Sequence, residues 1–100
     1  MIVISGRLTI RPDQRDRAVA AAAALMAATR AEPGCADYTF SADLSDPDVF
    51  YFFERWDSEE ALKSHFDAPH MAEFMGVAGE LLAGPAAATR FDVSESAPLF

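Results

Sequence analysis

Residues 32–71 read EPGCADYTFSADLSDPDVFYFFERWDSEEALKSHFDAPHM, and the order of elements within this stretch decides the fold. Pro33-Gly34 closes a preceding helix, with Gly34 supplying the left-handed residue that ends it. Cys35 to Ala42 reads as a strand, Ser45-Asp46-Pro47-Asp48 as a turn and Val49 to Trp56 as a further strand, so the pair forms an antiparallel hairpin. Asp57 followed by Glu60 has the spacing of a capping box and opens a short helix. Pro69 lacks a backbone donor and breaks that helix near Asp67-Ala68. A second helix then carries Met71, Phe74, Met75, Ala78, Leu81 and Leu82 at helical spacing, until Gly84-Pro85 stops it.

Outside this stretch the pattern continues. Ile2, Ile4, Leu8 and Ile10 share one face of an alternating N-terminal strand, with Ser5, Arg7 and Thr9 largely on the other. Arg11-Pro12-Asp13 opens an Ala-rich helix that runs to about Ala31, with Val19, Ala22, Leu25 and Met26 as its inward stripe. Ala86 to Val93 reads as a fourth strand, with Arg90 and Asp92 on one face. The order is β-α-β-β-α-β, an α+β, ferredoxin-like arrangement: a four-stranded antiparallel sheet with helices on one face. Residues 1–93 form a single domain, and residues 94–100 are a tail that is either loose or docked on a partner.

The third strand carries apolar residues on both faces, Val49, Tyr51 and Phe53 on one and Phe50 and Phe52 on the other. Two helical segments cover only one face of a four-stranded sheet, so the other must be buried too. A second copy of the chain, making a homodimer through the sheet face, is the simplest cover.

Composition narrows the function classes. The 100 residues allow one core, and half of them are hydrophobic, eight being Phe, which points to a packed globular domain. A net charge of −8 argues against nucleic acid or an anionic membrane as partner. The start Met1-Ile-Val-Ile reads as a strand and not as a signal peptide, which makes a cytoplasmic location the default. Cys35 is the lone cysteine, so no internal disulfide forms. Phosphate loops, nucleophile elbows and flavin or nicotinamide fingerprints are absent, and no cofactor is expected.

The residues suited to chemistry gather where elements meet. Trp56 ends a strand just before a helix, as either a core anchor or the wall of an aromatic-binding pocket. Glu54 shares its face two residues earlier and reads as structural. His65 lies on the inward face of its helix, as either a core residue or a catalyst. His70 follows Pro69 in a first helical turn, where the helix dipole disfavours imidazolium, which suits a general base. Tyr38 and Tyr51, one on each hairpin strand, could hydrogen-bond a quinone-like oxygen or face water. Arg7 and Arg55 would suit an anionic substrate or form surface ion pairs. His65 and His70 have no metal-site spacing and no obvious third ligand in sequence, so no metal is expected.

The series Glu32-Pro33-Gly34-Cys35, Tyr38, Glu54-Arg55-Trp56, Ala61-Leu62 with His65, and Pro69-His70 resembles the antibiotic biosynthesis monooxygenase (ABM) domain family. The resemblance implies subunits that pair their sheets into a dimeric α+β barrel. It implies oxidation of a quinol or polyphenol by O₂ without flavin, metal or haem, with the Trp lining the site. Trp56, His70, His65 and Tyr38 are then the residues to bind a flat aromatic, take its proton and stabilise the anion, and Tyr51 and Arg7 are further candidates for binding. Haem-degrading relatives carry Asn in the first strand, where Gly6 stands here. An isomerase acting on a phosphorylated sugar-derived signal shares a similar H-x-x-x-P-H segment, so proton transfer without O₂ is an alternative. A non-catalytic protein that only binds small aromatics is another.

Overall fold

The computed structural model describes all residues 1–100. The alternating N-terminus forms β1 (Ile2–Thr9), and Pro12–Gln14 make one 3₁₀ turn that leads into α1 (Arg15–Arg30). The hairpin is β2 (Cys35–Ala42) and β3 (Val49–Trp56), followed by α2 (Glu59–Phe66), α3 (Pro69–Leu81) and β4 (Ala87–Asp92). All neighbouring strands are antiparallel in the order β2-β3-β1-β4. This is the expected α+β ferredoxin-like sheet.

Register assigns each strand residue to a face. Ile2 pairs with Trp56, Ile4 with Glu54, Gly6 with Phe52 and Leu8 with Phe50, and Tyr38 lies beside Glu54. This face meets the helices and holds two adjoining cores. One comprises Ile2, Leu25, Tyr38, Trp56 and Leu62. The other comprises Leu8, Ile10, Ala18, Phe50 and Leu81. The opposite face carries Arg7 against Tyr51, Ser5 against Phe53 and Val3 against Arg55. No helix covers it, and Tyr51, Phe53 and Phe91 stay half exposed.

Gly6 is fixed by packing. A Cβ there would overlap the ring of Phe52, its cross-strand partner. Gly34 does have the left-handed backbone, with φ of 83°.

Three local expectations are corrected. Ser58, not Asp57, caps α2, its hydroxyl accepting from the Ala61 N–H at 3.1 Å. In α1 the buried stripe is Ala18, Ala22, Leu25 and Thr29, whereas Val19 is exposed; small side chains let that face lie close to the sheet. Met75 is also exposed, and α3 buries Ala78 and Leu81 instead.

Candidate active site

Three elements deliver a carboxylate and two imidazoles to one point. Glu32 lies just past the C-terminus of α1, where its N–H donates to the Thr29 carbonyl at 2.9 Å before Gly34 turns the chain into β2. His65 sits in the last turn of α2 and His70 in the first turn of α3, and the break at Asp67-Ala68 folds the two helix ends together. Oε2 of Glu32 lies 2.7 Å from His65 Nδ1 and 2.8 Å from His70 Nε2. A carboxylate only accepts, so both ring nitrogens donate. In neutral rings this makes His65 the Nδ1–H tautomer and leaves the lone pair of His70 on Nδ1. That nitrogen makes no hydrogen bond within the protein.

Burial separates the two rings. His65 is 1% exposed, while the side chains of Glu32 and His70 are 13% and 21% exposed. The His65 ring packs 4.8 Å from Trp56 and 5.2 Å from Tyr38, centroid to centroid. Trp56 is fully buried and its Nε1–H donates to Glu54 Oε1 at 2.9 Å. Burial pushes the Glu54 carboxyl above the usual range, against the opposing influence of the Trp56 N–H and of His65. Burial, then Glu54 and Glu32, push Tyr38 far up, so it stays a neutral phenol. Burial and the same two acids raise the Cys35 thiol, which makes it a poor nucleophile.

Two openings reach this cluster from different sides. Between α1 and α3 lies a groove of about 330 Å³, lined by Ala21, Ala24, Leu25, Ala28, Phe74 and Val77, with His70 and Glu73 as its ionisable residues. A polar cleft of about 440 Å³ has Glu32, Ser58, Glu60 and Ser64 in its wall. Glu32 thus contacts the His70 ring of the groove and lines the polar cleft.

The sequence candidates fall into two sets. His70, His65, Tyr38 and Trp56 gather on the helix side of the sheet. Tyr51 and Arg7 pair across β3 and β1 on the open face, away from the histidines, and the Tyr51 O–H donates to Asp43 at 2.8 Å. Of the four clustered residues only His70 borders the groove. Glu32 is the member that sequence reasoning passed over. Its bonds to His65 and His70 span 33 and 38 residues, so no local pattern announces them.

Glu32 also corrects the expectation that no third ligand type stands near the two histidines, since the three ligand atoms lie within 4.8 Å of one another. The separations of 2.7 and 2.8 Å are hydrogen-bonding distances.

Known proteins share this architecture. The family model described as antibiotic biosynthesis monooxygenase matches residues 1–77. Rv0793 of Mycobacterium tuberculosis, named as a candidate monooxygenase, is 35% identical over 88 residues, covering 88% of this chain and 86% of that protein. Its solved structure superposes with a TM-score of 0.89, covering 97% and 98% of the two chains. YcnE of Bacillus subtilis, also named as a candidate monooxygenase, is 30% identical over 95% of this chain and 100% of its own. A Deinococcus radiodurans structure described as a candidate antibiotic biosynthesis monooxygenase superposes with a TM-score of 0.91 at 25% identity, covering 100% and 99%. Glu32, His65 and His70 all fall inside the matched region, and the chain belongs to the antibiotic biosynthesis monooxygenase family.

Proposed function

We propose that the protein is a cofactor-independent monooxygenase that oxidises a small, uncharged quinol or polyphenol with O₂, with His70 as the base. The observation that carries this reading is His70 itself: Nε2 is tied to Glu32, and the ring borders an apolar groove with Nδ1 unused. The groove lies at the small end of the ~300–1,000 Å³ range of small-molecule sites, and suits a compact flat ring system.

The quinol O–H gives its proton to His70 Nδ1, and the adjacent carboxylate stabilises the imidazolium that forms. Loss of the proton makes the ring electron-rich enough to reduce O₂. A quinol that becomes a hydroxyquinone supplies all the electrons O₂ requires, so one oxygen atom enters the ring and the other leaves as water. No external reductant is needed. The proton passes from His70 to Glu32 and on to the water of the polar cleft. The ring of Phe52, lying where a side chain at position 6 would extend, argues against the haem-degrading branch, which carries Asn there.

The isomerase alternative would use the same histidine. It fares worse because no Lys or Arg lines the groove and Glu73 does, in a chain of net charge −8, which disfavours a phosphorylated substrate. The active form is a homodimer through the open sheet face, where Arg7 and Tyr51 serve the subunit contact rather than the substrate. Oxygen uptake with a panel of hydroquinones and no added cofactor tests the reading, and His70→Ala should lower turnover roughly 10²-fold. Binding without oxygen consumption would make the protein a carrier, and an unaffected variant would remove His70 as the base.

A further inference from the structure

Resting on that reading, we propose that His65 is a positioning residue: it holds the Glu32 carboxylate in place and thereby sets the orientation of the His70 ring, without touching substrate. At 1% exposure His65 cannot meet a ligand in the groove, and it is not among the residues that line it. Its Nδ1 nevertheless lies 2.7 Å from the same carboxylate oxygen that His70 Nε2 contacts.

The ring is held in turn. Trp56 packs on it at 4.8 Å with the planes tilted by 36°, and Tyr38 meets it edge-on at 5.2 Å and 60°. Trp56 is anchored by its own hydrogen bond to Glu54, in the middle of the sheet. The order of support therefore runs from β3 to Trp56, to His65, to Glu32, to His70. Glu32 belongs to no helix or strand, so without His65 its side chain would have one partner instead of two and would swing toward the polar cleft. Trp56 and Tyr38 act here as a clamp on His65.

The chain contains only two histidines, so the imidazole nitrogens can be read directly by long-range ¹H–¹⁵N correlation. At a pH of about 8.5, above the ordinary imidazole range, His65 should be locked in the Nδ1–H form, the less common one in water, and His70 in the Nε2–H form. Glu32→Ala should release both rings into averaging tautomers. His65→Leu should leave His70 averaging in a folded protein and lower kcat roughly 10- to 100-fold with little change in KM. His65→Asn, which keeps an N–H donor near the Nδ1 position, should recover much of that loss, and it serves as the main variant if the Leu form does not fold. A wild-type His65 in the Nε2–H form would overturn the proposal. So would a His65→Asn variant in which the His70 tautomers average as fully as in Glu32→Ala, or a folded His65→Leu variant in which His70 stays locked as in the wild type. The spectra read the relay without turnover: if wild-type protein oxidises no quinol but shows both locked tautomers, the proposed reaction falls and the positioning role stands.

Discussion

Replacing Gly34 with Ala should destabilise the protein by two separable effects. The first is backbone strain: φ is 83°, and an L-residue in that region costs about 1–2 kcal/mol. The second is a collision, because the new Cβ would stand 2.6 Å from the Ala61 Cβ, where carbon atoms prefer about 3.5–4.0 Å. Neither alanine has a side-chain torsion that could relieve it, so the backbone must give. The first turn of α2 resists, since Ser58 caps it through the Ala61 N–H, and the Asp57 N–H donates to the Gly34 carbonyl at 2.9 Å. Overpacking of this kind costs about 1–3 kcal/mol. The sum is about 2–5 kcal/mol.

For a domain of 100 residues each kcal/mol lowers Tm by roughly 4–8 °C, so Gly34→Ala should melt at least ~8 °C earlier in a calorimetric or circular-dichroism scan. Ala61→Gly in the same chain removes the collision and leaves the strain. The double-mutant cycle should therefore show a coupling of about 1–3 kcal/mol in the relieving direction. A melting point within a degree or two of wild type would refute both the left-handed turn and the seating of α2 against it, and a cycle without coupling would refute the seating alone. Because Glu32 lies two residues before Gly34, a shift here should also disturb the carboxylate between the histidines.

Glu54→Gln keeps an acceptor for the Trp56 N–H and removes a carboxyl whose folded-state pKa is raised above its ordinary 4.5. Wild-type stability relative to the variant should be highest below that value and fall as pH rises to the folded pKa; urea midpoints that differ by a constant amount across pH would contradict this. Trp56→Phe should act mainly on stability, costing about 1–3 kcal/mol because it leaves the buried Glu54 without its donor, and a denaturant titration that shows no loss would argue against that hydrogen bond. The homodimer should bury on the order of 2,000 Å² and persist at micromolar concentration in sedimentation, with Phe53→Lys dissociating it; a wild-type monomer would sink the proposed interface. Glu73→Lys should favour a carboxylated quinol over its neutral parent by several-fold relative to wild type at low salt, an effect that added salt should erase.

The hairpin was legible because its signals are local. The alternation of β2, the apolar run of β3 and the Asp46-Pro47-Asp48 turn between them give the two strands their observed ends, and Pro69 places the break between α2 and α3. What the sequence hid depends on packing at a distance. In α1 the buried face is two alanines, one Leu and one Thr, so bulk pointed to Val19 although spacing from Leu25 leads to Ala18, Ala22 and Thr29. Met75 is apolar on a face that nothing covers. The site was half legible. His70 could be singled out from its place after Pro69, but its link to Glu32 exists only once α1, α2 and α3 are docked.

Strand β3 connects the chemistry to the surface. Phe50, Phe52, Glu54 and Trp56 face the helices and lead to the histidines, while Tyr51, Phe53 and Arg55 face away. A slip of one residue would exchange the two sets, placing Phe53 where Glu54 stands and Arg55 where Trp56 must support His65. The chain as a whole is also more exposed than a compact monomer of its size requires. The accessible surface is 6269 Å², against ~5,500 Å² expected for a compact monomer of this mass. The radius of gyration is 13.9 Å, against ~12.7 Å for this length. The excess lies where every residue of β4 is exposed and where Leu99 and Phe100 stand free. A second copy laid on the open face would cover Tyr51, Phe53 and Phe91 together without touching the groove at His70, so the proposed association and the proposed chemistry would use opposite sides of the sheet.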